Sequence, residues 1–529
     1  MSVSEPKDEV VEVIASSTSI SVSTPHPTPK PLSAVRRRLI MLSLCLALFL
    51  SALDITIVAT ALPTLARHLN ASAAAYAWIG SGYTLANTSS IAVWARLSDI
   101  FGRRPVILAS TLVFLIGSVL SGVASSVGML IAGRIIQGMG GGGSTVLVTI
   151  VISDLFALAE RAKYYGLTGL VYAVACSVGP VLGGVFTQTI GWRWCFWINL
   201  PFCGLSLVVL FFVLHLNPTK PPTPLLAGLK TLDWTGSILI IGGTIAFLYG
   251  LETGASSGDW SHPQVVGLLV AGAVVMALFA VYEHYFAPYP LVPTRSLFGS
   301  VTNCASLLVT ILHSLVFIAY DYFLPLYFQV CLGFRPILSG VALFALVIPL
   351  SCATMAAGFW VRRTRNYRVA MWVGAVLMTL GTGLLIDLSR PPPANWAKII
   401  VFLVIVGLGA GPLFQAPMIA LQSHVEEKDV PATASASGFL RSLASSMSIV
   451  VGTVLLQRRL DGKDITDVGI PADEYASAVR QMWIFYVSVC GALFVCTLFI
   501  KKMPAQKGDK QEQVDDGSQT EVKTEKDIV

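Results

Sequence analysis

The residues of this chain best placed to do chemistry are charged groups inside long apolar runs. Asp54 is the only charge between Leu39 and Leu62. A carboxylate at that depth in a bilayer is costly unless it faces water, meets a cation or takes up a proton. Asp54 therefore predicts proton coupling or gating, with a static ion pair between helices as the plainer reading. Arg134 is likewise the only charge between Met129 and Ile152. A guanidinium stays protonated, so it cannot carry a proton itself. It can hold a carboxylate or favour release of a proton from a nearby acid. A third group, Asp99-Ile100-Phe101-Gly102-Arg103-Arg104, lies between two apolar runs. Gly102 permits a tight turn. Asp99 can pair with Arg103 or Arg104, or sit against a helix N-terminus. Ordinary basic residues at a cytoplasmic membrane face account for the arginines but not for the acid and the glycine.

The second half of the chain is less decorated. Tyr320, Asp321, Tyr322 and Gln329 share one apolar run. They predict a polar cavity for an amphiphilic molecule, unless the tyrosines form an interfacial belt. Gln415 lies in a Gly- and Pro-rich run, and Arg441 in the next. Both are further cavity positions. Gly179, Pro180, Gly183 and Gly184 mark a run where a helix bends and neighbours approach closely, as a hinge, a seal or plain packing. No metal-ligand cluster, nucleophile constellation or phosphate loop occurs, so an enzyme is not expected, nor any cofactor or metal. The nine cysteines follow no regular spacing and read as small packing residues. Asn70-Ala71-Ser72 is a possible glycosylation acceptor beside the first run.

These residues need elements to position them, and composition says which. The chain is 54% hydrophobic and only 12% charged, about half the charge of a soluble domain. Fourteen apolar runs, near 39–62, 77–95, 105–124, 129–152, 163–188, 195–215, 234–251, 264–282, 302–330, 338–361, 369–388, 397–420, 435–456 and 482–500, are candidate spans. A chain that crosses lipid so often must satisfy its backbone internally, so the fold class is an all-α integral membrane bundle. An even number of spans puts both termini on one side. Arg36-Arg37-Arg38, Arg103-Arg104, Arg362, Arg363, Arg365 and Lys501-Lys502 then fall on that side, which makes it cytoplasmic. The tails over residues 1–38 and 501–529 read as disordered. The net charge of +6 suggests no nucleic-acid partner.

Four motifs in order resemble the major facilitator superfamily, over roughly residues 39–500. Ala95-Arg96-Leu97-Ser98-Asp99-Ile100-Phe101-Gly102-Arg103-Arg104 is similar to that family's cytoplasmic signature, with Ala95 in place of its first glycine. Leu53-Asp54-Ile55-Thr56 through Pro63 looks like the signature of its fourteen-span drug:proton antiporters. Arg134-Ile135-Ile136-Gln137-Gly138 resembles an Arg-x-x-Gln-Gly element, and Gly179-Pro180-Val181-Leu182-Gly183-Gly184 the antiporter motif, with Ala175 where an upstream glycine is usual. The resemblance implies two six-helix halves built from inverted three-helix units, residues 39–215 and 302–500, with two extra helices within 216–301. It implies a conformational latch at Asp99–Arg104 and proton coupling or gating at Asp54, Arg134 and Gln137. The style of the match is most similar to fungal exporters of toxins and secondary metabolites. That implies a monomer in the plasma membrane exchanging protons for an amphiphilic organic molecule. A vacuolar importer of basic amino acids is the alternative within transport, and a non-transporting sensor the alternative outside it.

Overall fold

The computed structural model describes residues 33–503, apart from residue 72, residues 215–223, residue 289, residues 389–394 and residues 461–469. The expected tails lie mostly outside these residues. The chain runs through α1 (Ala34–His68), α2 (Ala73–Phe101), α3 (Arg103–Gly122), α4 (Val127–Leu155), α5 (Leu158–Gln188), a single turn α6 (Trp194–Trp197) and α7 (Asn199–Val213). A short α8 (Leu225–Lys230) precedes α9 (Trp234–Ser257), α10 (Pro263–Tyr285) and a short α11 (Thr294–Phe298). Then follow α12 (Val301–Val330), α13 (Pro336–Thr364), α14 (Tyr367–Leu388), α15 (Trp396–Gln422), α16 (Val430–Gln457) and α17 (Ala472–Leu498). Because α1 starts at Ala34, capped by the Ser33 hydroxyl, Arg36, Arg37 and Arg38 are helical rather than part of an unstructured tail.

Local chemistry sets the boundaries. Ser126 accepts from the Met129 amide at the start of α4, and Asp233 accepts from the Gly236 amide at the start of α9. Such caps satisfy amides that have no partner within the helix. Gly102 (φ +91°) divides α2 from α3, a conformation that a side chain disfavours.

Among the described residues, 13 helices are long and apolar enough to cross a membrane, with α6 and α7 forming one such unit. The expectation was fourteen, and α2 makes the difference. Asn87, Thr88, Ser89 and Ser90 dilute its hydropathy, and all four are buried against other helices. Small polar residues between packed helices serve as contacts rather than as lipid-facing surface. By contrast α10 shows Val266, Val270, Val274, Leu278 and Val281 outward, an apolar stripe suited to lipid.

The same pattern of neighbours occurs twice. α4 packs on α2 and α3, α1 on α5 and α7, and α3 on α7. Likewise α15 packs on α13 and α14, α12 on α16 and α17, and α14 on α17. The first six long helices and the last six are therefore equivalent sets, with α1 matching α12 and α5 matching α16. The sets meet along α5–α13 and α2–α16. The hairpin α9–α10 joins through α9, which packs on α2 and α16.

Candidate functional site

In the first half, helix packing brings Asp54 (α1), Arg134 and Gln137 (α4) together with two residues that carry no charge, Ser118 (α3) and Asn199 (α7). Arg134 forms an ion pair with Asp54, both side chains almost fully enclosed. Arg134 also donates to the Gln137 side-chain oxygen at 2.9 Å and to the Ile79 carbonyl at 3.3 Å. Its guanidinium lies 4.6 Å from the centre of the Tyr83 ring. The Gln137 amide donates to Asp54 at 2.7 Å and to the Ser118 hydroxyl at 2.9 Å. Asn199 adds longer bonds of 3.3 Å to both. Tyr83 is fixed in turn by donating to the Ser51 carbonyl at 3.0 Å. Every strong donor of this hub is aimed at one carboxylate. Protonating Asp54 removes the only charge that balances Arg134 there.

Around the Gly102 turn, Arg103 bridges Asp99 at 2.5 Å and Asp154 of α4 at 2.7 Å, and donates to the Ser98 hydroxyl at 2.7 Å. Arg104 turns the other way. It donates to the Phe211 carbonyl and stacks 4.9 Å above the Phe211 ring. Asp99 thus pairs with Arg103, and Asp154 is a second acid on the same cation. At the same end of the bundle the two halves are tied by polar contacts. Arg161 (α5) donates to Gln422 (α15) at 3.3 Å, and Gln422 donates to the Tyr165 hydroxyl at 2.9 Å. The equivalent turn of the second half carries Arg365 at φ +51° and no acid.

The glycines of α5 divide by environment. A methyl group at Gly179 would collide with Thr56 of α1, and one at Gly183 with Thr60 and the Ile57 carbonyl. At Gly184 it would meet nothing within 4 Å. Gly184 therefore does not serve the close approach expected of it. Pro180 lies inside α5, between the two contact glycines.

In the second half the expected cavity residues separate. Tyr320 is fully buried, donates to or accepts from the Thr382 hydroxyl at 2.5 Å and stacks on Trp483 of α17 at 5.7 Å. It faces the interior of its own half, not the space between halves. Gln415 lies in the seam where α5, α13 and α15 meet, among Ala162, Thr354 and Gly358. Tyr322 and Gln329 are half-buried on α12. Asn70 is exposed and ends α1 at φ +51°. Asp321 and Arg441 both lie within electrostatic reach of Tyr172 of the first half. Asp321 (α12) and Cys176 (α5) lie within electrostatic reach of each other. Arg441 (α16) donates to the Phe414 carbonyl at 2.8 Å and stacks 4.8 Å above the Phe414 ring. Tyr172 (α5), 5.9 Å from that ring, lies within electrostatic reach of Asp321, Arg441 and Tyr83. Tyr172 is thus linked electrostatically both to Tyr83 of the first-half hub and to the two charges of the second half.

The Major Facilitator Superfamily profile matches residues 44–452. The chain belongs to the major facilitator superfamily. It is 42% identical to the efflux pump dotC of Dothistroma septosporum, over 88% of this chain and 84% of that protein. It is 41% identical to the MFS-type transporter ppz2 of Metarhizium majus, over 88% and 85%. It is 36% identical to the efflux pump FUS6 of Gibberella moniliformis, over 80% and 74%. The fold also superposes on the human organic anion transporter MFSD10 with a TM-score of 0.57, covering 87% of this chain and 99% of that one at 14% identity.

In this facilitator, sequence reasoning found the charged members of the hub and missed Ser118, Asn199 and Tyr83. Small polar residues in spans are common, so nothing in the sequence marks these three. Asp154 was missed as the second partner of Arg103 because it sits at a span end, where an acid is ordinary. Tyr172 and Cys176 were also missed. A helical projection of α5 would have found them, because Tyr172, Cys176 and Gly179 fall three or four residues apart on one face.

Proposed function

We propose that this facilitator exports an amphiphilic organic molecule, such as a secondary metabolite, toxin, glycolipid or drug, in exchange for protons by alternating access. The observation that carries the reading is the closed hub at Asp54. A buried acid that gathers an arginine and two amides from two other helices is built to change its surroundings when it is protonated. Proton uptake at Asp54 would free Arg134 to lean on Gln137, the Ile79 carbonyl and the Tyr83 face, and so shift α1 against α4. Tyr172 would pass that shift to the space between the halves. The relatives named as efflux pumps support the export direction. In this reading α2 is the fourteenth span, both termini are cytoplasmic, and the chain works as a monomer in the plasma membrane. Asp99, Arg103 and Asp154 form the latch that holds the cytoplasmic end shut, and Gly179 and Gly183 seal α5 against α1.

An importer of basic amino acids would set a cationic substrate against Arg441, which among the described residues has no carboxylate paired to it, so that alternative is set aside. The deciding experiment compares small molecules inside and outside cells of the native host, with and without this gene. The reading predicts one compound family lost from the medium and retained in the cells. An unchanged profile would contradict it.

A further inference from the structure

The inference rests on the export reading and adds the chemistry of the exported molecule. We propose that Arg441 anchors a negatively charged group, a carboxylate, phenolate or enolate, whose apolar body lies along Phe414 and Tyr172.

Arg441 carries more donors than the described residues use. A guanidinium offers five N–H groups, and in this structure the Phe414 carbonyl takes a bond from one nitrogen, Nη2, at 2.8 Å. The Phe414 ring face covers one side. Among the described residues no carboxylate lies within ion-pair distance of Arg441. An arginine at membrane depth is expensive without a partner, and such residues face water-filled cavities or substrate paths. Arg441 fits that description: protein surrounds it, yet part of its surface stays open.

The neighbours explain why the partner must come from outside. Asp321, on α12, forms no ion pair with Arg441 among the described residues. Both charges reach the Tyr172 hydroxyl, so the proposed site has a positive pole at Arg441, a negative pole at Asp321 and aromatic rings at Tyr172 and Phe414. His313 supplies no second cation. Its Nε2 donates to the Ala410 carbonyl at 3.1 Å, while Nδ1 is buried without a partner, which a neutral ring tolerates better than a protonated one. One uncompensated guanidinium beside two rings fits a flat or amphiphilic anion. The planar fork favours paired acceptor oxygens. A hydroxyl on the far side of the molecule would donate to Asp321.

The test uses a matched pair of fluorescent probes, pyrenebutyrate and its uncharged amide, pyrenebutyramide. Each is titrated against the purified full-length chain in nanodiscs, with empty nanodiscs subtracted. The wild-type chain is expected to bind the acid about tenfold or more tightly than the amide, the range of a charge-assisted hydrogen bond. Arg441→Gln should bring that ratio close to one, and Arg441→Lys, which keeps a point charge, should hold it between the two. Equal binding of acid and amide by the wild-type chain overturns the inference, as does binding of neither, or a ratio that survives Arg441→Gln. The two readings fail separately. Host cells that lose export of neutral compounds only would keep the export reading and remove this one. An Arg441-dependent preference for the acid with an unchanged host profile would do the reverse.

Discussion

The two halves of this facilitator place the same charges differently. Asp54 and Asp321 lie on equivalent helices, α1 and α12, and each half has an arginine inside its spans. In the first half acid and base meet: Arg134 pairs with Asp54, and Gln137 and Asn199 complete the shell. In the second half they stay apart: among the described residues Asp321 and Arg441 form no ion pair, and Arg441 takes a carbonyl and a ring face. A self-satisfied charge pair can respond to a proton but has no capacity left for a ligand. Separated charges have that capacity. In the proposed reading, energy coupling belongs to the first half and ligand recognition to the second.

The sharpest way to break this comparison is to remove each arginine. Arg134→Gln leaves a buried carboxylate without its cation, a change that costs about 3–5 kcal/mol. Arg441→Gln takes away a group with little protein bonding and should cost less than about 1 kcal/mol. Thermal unfolding of the two purified variants measures both. Equal losses would show that Arg441 is as structural as Arg134. Next in size are the α5 glycines. Gly179→Ala and Gly183→Ala push a methyl group into α1 and should destabilise by about 1–3 kcal/mol, with export falling in parallel. Gly184→Ala enters open space and should stay within about 0.5 kcal/mol. A similar loss at all three positions would dissolve the distinction between them.

The proposed latch should give the smallest effect. Asp99→Asn should slow turnover several-fold while substrate binding holds, because Arg103 keeps Asp154 and Ser98. Asp154→Asn should act alike, and the double variant should exceed either alone. An unchanged rate in the double variant would remove the latch.

What the sequence made legible follows the cost of charge in lipid. Asp54 and Arg134 stand out because nothing charged surrounds them, and the apolar runs place nearly every span. α2 departs from the hydropathy of the others because Asn87, Thr88, Ser89 and Ser90 face helices, and composition carries no record of what a residue faces. The same blindness placed Tyr320 beside Asp321 in one cavity. Adjacent positions on a helix point about 100° apart, so Asp321 shares its face with Phe317 and His313 instead. Ser118 and Asn199 join the hub through tertiary packing alone. Their sequence neighbours give no sign of the carboxylate they serve.

The most direct test of the central claim is transport by Asp54→Asn. If Asp54 takes up a proton in each cycle, the neutral side chain must be compatible with the fold, so this variant should remain folded. In proteoliposomes with an imposed pH gradient, the wild-type chain should move the compound family lost from the host medium, with protons moving the opposite way. Asp54→Asn should bind that compound yet show no gradient-driven transport. Gradient-driven transport at the wild-type rate by Asp54→Asn would contradict the assignment of coupling to the first half.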